Sequence, residues 1–299
     1  MRYRFTGAMV AMAVAAAVSL TVMPIAGQAG RGTAPAGGAA PAGQGRGAAP
    51  AQPAGRGAAA ARPARIAGRP NLNGVWQAIT TAYWNLEDHS AVGLTQFWQL
   101  GAIAAVPAGQ SVVVGGTIPY LPAALKKRQE NQAGWPKTDP EAKCYMPGVP
   151  RATYMPYPFQ IVQGQKDILF VYEYASSNRI VHMLTHQEAP VDSWMGWSDG
   201  KWDGDTLVIE VTGNNDQTWF DRAGNHHSDA LKVTERYTLT GDNHIQYQAT
   251  MEDPKTFSRP WQIQVPLYRR MEANVQLLEF KCVEFSEELL YGDLKKKTS

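Results

Sequence analysis

Residues 231–251 leave this chain little freedom of architecture. Leu231, Val233, Tyr237 and Leu239 alternate with Lys232, Thr234, Arg236 and Thr238. Gly241-Asp242-Asn243 then turns the chain, and Ile245, Tyr247, Ala249 and Met251 alternate with Gln246, Gln248 and Thr250. A period of two, with one apolar and one wet face, specifies an antiparallel hairpin packed on one side. Further strands are expected over 75–83, after the turn-rich Asn71-Leu72-Asn73-Gly74, and from Phe159 onward: 168–172, apolar on both faces, then 179–185, 205–212, 261–267 and 275–282. Asp199-Gly200 and Asp203-Gly204 read as tight turns. The one helix candidate is 121–131, with Pro122 near its start and Gly134 after its end. The predicted fold is all-β and mainly antiparallel, a barrel-like fold or a two-sheet sandwich, with one short helix and a disordered N-terminal tail. Of the two, a barrel with an interior ligand pocket is preferred.

Composition divides the chain of 299 residues. Residues 1–29 read as a secretory signal: Arg2 and Arg4 precede an apolar run over 8–26, and small residues follow. Pro24 and the many alanines favour cleavage over retention as an anchor. Residues 30–69 are a low-complexity Ala/Gly/Pro/Arg linker with too little apolar surface to offset its ordering entropy, and are read as a flexible tether. Residues 70–299 form a single β-rich domain. No acidic residue precedes Glu87, whereas eight of the 28 basic residues do, so 20 bases face 26 acids from there on. An acidic body lacks the positive footprint of a nucleic-acid binder. No later run is long and apolar enough to span a bilayer, so the mature chain is expected to carry no transmembrane span and to be periplasmic or secreted. Cys144 and Cys282, the only cysteines, are then expected to form a disulfide.

Residues 213–230, between two predicted strands, hold three Asp, two His, a Trp and a Ser. Loops of this length are usually functional. Asp216, Asp221 and His227 are therefore candidates for acid–base catalysis, set against the alternative that such side chains satisfy loop backbone. Glu235 falls among the apolar positions of its strand. It is either a general acid with a raised pKa or one half of an internal ion pair with Arg151 or Arg179. The sequence has nine tryptophans. Trp194, Trp197 and Trp219, with Arg151, Arg236 and His89, are candidate substrate-binding residues, because flat faces beside polar groups suit a sugar or an aromatic ligand. Zinc-type spacing is absent, since His226 and His227 are adjacent and the other histidines scattered. A divalent metal, and a meeting of the Glu87-Asp88-His89 cluster with the long loop, stay open. No dinucleotide or phosphate-loop fingerprint occurs, so no organic cofactor is expected.

The run Trp194-Met195-Gly196, Ser198, Gly200-Lys201-Trp202-Asp203-Gly204-Asp205-Thr206-Leu207-Val208 resembles a motif of a family of exported bacterial proteins. So do Asn215-Asp216, Thr218-Trp219, Asp221, His227-Ser228-Asp229, Glu235-Arg236, Asp253-Pro254 and Pro260-Trp261, together with Leu72-Asn73-Gly74-Val75-Trp76, Lys143-Cys144 and Pro147-Gly148-Val149-Pro150-Arg151. The likeness covers roughly residues 70 to 292. It implies export, a low-complexity start and a shared site, and no particular reaction. Two functions from different classes follow. One is a small-molecule-processing enzyme, a hydrolase or lyase acting on a carbohydrate or small aromatic compound through Asp/His chemistry. The alternative is a non-catalytic β-barrel ligand-binding protein of the periplasm.

Overall fold

The computed structural model describes residues 64–94 and 105–286. The chain divides into two units, Met1–Ala59 and Ala60–Ser299, and every described residue falls in the second. The expected signal and most of the linker lie outside the described residues. In chain order the elements are β1 (Arg65–Ile66), β2 (Arg69–Pro70), β3 (Gly74–Ala78), β4 (Val92–Gly93), β5 (Ala105–Val106), α1 (Pro122–Gly134), α2 (Arg151–Tyr154), β6 (Phe159–Gln163), β7 (Asp167–Tyr172), β8 (Asn178–His182), β9 (Trp197–Asp203), β10 (Thr206–Thr212), β11 (Lys232–Gly241), β12 (His244–Glu252) and β13 (Trp261–Arg269).

Nine strands close into a barrel in the order β10-β11-β12-β13-β3-β6-β7-β8-β9, and β9 pairs with β10 to complete the ring. Every neighbouring pair is antiparallel except β8 and β9, which run parallel with Val181 opposite Ser198. The 231–251 alternation is realised as β11 and β12, with Glu235 opposite Ala249 and Tyr237 opposite Tyr247. Interior positions carry bulky side chains: Phe159, Phe170, Tyr172, Tyr237 and Tyr247 are all essentially inaccessible. Among the described residues these side chains fill the barrel, as in small barrels, and the cavities described below lie outside it rather than in the expected interior.

Four local expectations are corrected. Asp199-Gly200 is no turn but the middle of β9, where Gly200 lies so close to β8 that a Cβ would sit 2.5 Å from both the Val181 side chain and the Met183 sulfur. A strand-interior glycine of this kind marks close approach. Only Gly204-Asp205 turns the chain, joining β9 to β10. Residues 275–282 form no strand. They belong to an irregular strap whose Phe280 ring packs on Tyr174 and Tyr157, at 4.8 and 5.3 Å between centroids. A disulfide between Cys144 and Cys282 fastens that strap, with Cα atoms 5.8 Å apart. The first barrel strand stops at Ala78 rather than running to 83, and the helix extends to Gly134. No helix among the described residues is long and apolar enough to cross a membrane.

Candidate functional site

The long loop between β10 and β11 folds back on itself. Trp219 bridges to His226, and the Phe220 amide donates to the Asn225 carbonyl at 2.7 Å. Asp221 organises the turn between them. One carboxylate oxygen accepts the amides of Ala223 (3.0 Å) and Asn225 (3.2 Å), and the other accepts Asn225 Nδ2 (2.6 Å) and the Leu86 amide (2.8 Å). This last bond ties the loop to the residue just before Glu87-Asp88-His89, while those three side chains turn to other partners: Glu87 to the Ile118 amide and Arg128, Asp88 to the Ser111 amide, and His89 to the Glu87 carbonyl. Burial pushes the Asp221 carboxyl up to about 6, although the bonds from Asn225 and Leu86 pull against it. Gly224 (φ +83°) lets the loop dock on α1: a Cβ would stand 2.7 Å from the Arg128 carbonyl oxygen and the Gln132 nitrogen. Asn131 Nδ2 donates to the Gly224 carbonyl across the same contact.

His227 is buried with both ring nitrogens engaged. Nδ1 lies 2.8 Å from the Ser228 carbonyl oxygen and Nε2 lies 2.6 Å from Thr218 Oγ1. A carbonyl only accepts, so Nδ1 carries the proton and Nε2 accepts from the Thr218 hydroxyl. Burial lowers its pKa, which agrees with a neutral ring. His226 stacks on Tyr120 at 5.7 Å, and burial, helped by His227 and Lys127, brings it down to about 4. The loop's end is held by Asp253, which accepts the Ser228 amide (2.7 Å) and hydroxyl (2.8 Å). Burial alone would raise the Asp253 carboxyl, but these bonds with those from Thr256 and Lys255 hold it below its ordinary value.

Glu235 stands inside the barrel. Its Oε2 lies 2.6 Å from Arg179 Nη1, and its Oε1 accepts from the Tyr237 (2.9 Å) and Tyr247 (2.7 Å) hydroxyls. Of the two partners considered for it, Arg179 is the one found. Arg151 is instead buried against Asp139 (3.2 Å) and Glu141 (2.5 Å). Burial would raise Glu141, but Arg222 and Arg151 outweigh it and hold that carboxyl low.

The remaining sequence candidates reach the surface in different places. Arg236 lies on the outer barrel wall, paired with Asp203 at 2.8 Å. Trp197 is also on the barrel wall, stacked on His182 at 4.4 Å with its Nε1 donating to Asp199. Asp216 and Trp219 line an open groove of about 520 Å³ shared with Lys127, Glu130 and Asn131 of α1 and with Lys143 and Tyr145. Trp194 backs this groove, its ring 5.0 Å from that of Tyr145, which is 44% exposed. His89 lines a second cavity, of about 430 Å³, beyond α1; its Nδ1 lies 2.8 Å from the Glu87 carbonyl oxygen. Among the described residues no three His, Cys, Asp or Glu side chains gather as a metal-holding group. Sequence reasoning passed over Tyr145, Glu130 and Arg222. The adjacency of Tyr145 to Cys144 was the one available signal, since a disulfide fixes its neighbour in place.

No model of a protein family matches this chain, and no curated protein matches it.

Proposed function

We propose that this chain is an exported protein that binds a carbohydrate in the groove between α1, Tyr145 and the 213–230 loop. The observation carrying this reading is the Tyr145 ring: half open to solvent, backed by Trp194, and surrounded by Lys127, Lys143, Glu130, Asp216 and Gln217. A flat aromatic face ringed by polar donors and acceptors of both charges suits a polyol with apolar and polar faces. Binding is favoured over turnover because Asp221, His227 and Glu235 spend their polar atoms on partners inside the protein. The disulfide supports export.

One observation favours hydrolysis as a second reading. Glu130 and Asp216 both line the groove, and a pair of carboxylates is what glycoside cleavage requires. Calorimetric titration with cellotriose and chitotriose separates the outcomes. Binding predicts a saturable heat with the sugar recovered intact, and an affinity about tenfold weaker in Tyr145→Ala. Shortened sugars, produced by the wild type and absent with Asp216→Asn or Glu130→Gln, establish the hydrolase. Absence of any heat with either sugar overturns both.

A further inference from the structure

The second cavity lies on the opposite side of α1 from the groove, so an inference about it goes beyond the carbohydrate reading. Its walls carry two indoles from distant segments, Trp84 after β3 and Trp135 at the end of α1, with ring centroids 5.9 Å apart and planes tilted by 57°. Val92, Leu94 and Val106 supply an aliphatic wall, and Asn85, Ser90 and Gln132 supply neutral hydrogen-bonding groups.

Among the described lining residues Arg222 is the only permanently charged side chain, with His89 the one other ionisable group, and Arg222 is already engaged. Its Nε and Nη2 donate to the two carboxylate oxygens of Glu141 at 2.9 and 2.7 Å, and its guanidinium lies 4.4 Å from the centre of the Trp84 ring. Glu141 is shared with Arg151, which also pairs with Asp139, so two guanidiniums and two carboxylates balance in one buried network and Arg222 presents no uncompensated charge to an ion. Flat faces, an aliphatic wall and neutral polar groups in about 430 Å³ match a small ligand that is itself flat, uncharged and polar at its edge. We infer that this cavity binds a neutral aromatic molecule carrying a hydroxyl group, with its ring against Trp84 and Trp135.

The test uses 2-naphthol as probe, followed by quenching of tryptophan fluorescence and by calorimetry on the full chain. Ala133 lies exposed on the cavity lining, so Ala133→Trp obstructs the cavity without touching the core. The inference predicts saturable binding that weakens at least about tenfold in both Trp84→Leu and Ala133→Trp. It also predicts that 1-naphthalenesulfonate, with the same rings and a negative charge, binds at least about tenfold more weakly than 2-naphthol. Tyr145→Ala, which damages the groove, should leave naphthol affinity unchanged. Equal affinity in wild type and Ala133→Trp, equal affinity for the sulfonate, or no naphthol binding would each overturn the inference. Loss of naphthol binding in Tyr145→Ala would place the aromatic ligand in the groove and overturn it too. Should Trp84→Leu fail to fold, the Ala133→Trp and sulfonate comparisons still decide.

Discussion

The Nδ1 of His227 faces a carbonyl and its Nε2 faces a hydroxyl, so truncating the ring strands both partners inside the loop and leaves a void against Phe220, whose ring is 5.2 Å away. His227→Ala is therefore expected to cost about 2–3 kcal/mol of stability, measured by urea denaturation; an unchanged midpoint would contradict the framework role. The neighbouring ring makes a pH prediction. His226 has a folded pKa of about 4, below the ordinary histidine value of 6.5. Folding thus favours its neutral form, and that contribution is complete above about pH 6.5 and is lost as pH falls toward 4. Asp221, raised to about 6, acts in the opposite sense: the folded state holds its proton more tightly, so stability declines as pH rises from about 4 to 6. His226→Phe keeps a ring stacked on Tyr120 and removes the titrating imidazole. The stability of wild type relative to His226→Phe should fall by about 1–2 kcal/mol between pH 7 and pH 5, with the partial exposure of His226 allowed for. A constant difference across that range would remove the titration from the account.

Elements show which parts of this architecture were legible in the chain and which were not. The β11–β12 hairpin could be read directly, because an alternation of nine or ten residues has one solution. β9 was hidden because Asp199-Gly200 imitates a turn locally; only the closeness of Val181 and Met183, seventeen or more residues away, makes that glycine a strand residue. The apolar pattern of 275–282 had no strand edge to join, since a closed barrel has none. In the loop, polarity and length were visible, whereas the occupation of Asp221 by the Leu86 amide is a tertiary contact across 135 positions that no local pattern announces. The loop's docking on α1 is testable through Gly224. A Cβ there meets backbone atoms at 2.7 Å on a residue with positive φ, so Gly224→Ala should lower stability by about 2 kcal/mol or more in thermal or chemical melts. A silent substitution would mean that loop and helix are not pressed together as described.

At the scale of the molecule, a filled barrel acts as a rigid post and its outer attachments hold the two candidate cavities. The Arg179–Glu235 pair and the three tyrosines around it fill the barrel with satisfied polar groups. The disulfide joins residues 138 positions apart and, on the chain-entropy view, removes about 5 kcal/mol of freedom from the unfolded chain. The loop and α1 then divide the groove from the aromatic cavity, each contributing residues to both. This arrangement depends on the 213–230 loop being framework rather than a mobile catalytic segment. Native-state amide hydrogen exchange measures that dependence directly. The amides of Leu86, Phe220, Ala223, Asn225 and Ser228, each given a hydrogen-bond acceptor within 3.2 Å, should exchange on the timescale of the barrel strands. Exchange of these amides orders of magnitude faster than that of β11 and β12 would contradict the account and return the loop's Asp and His to the list of mobile acid–base groups.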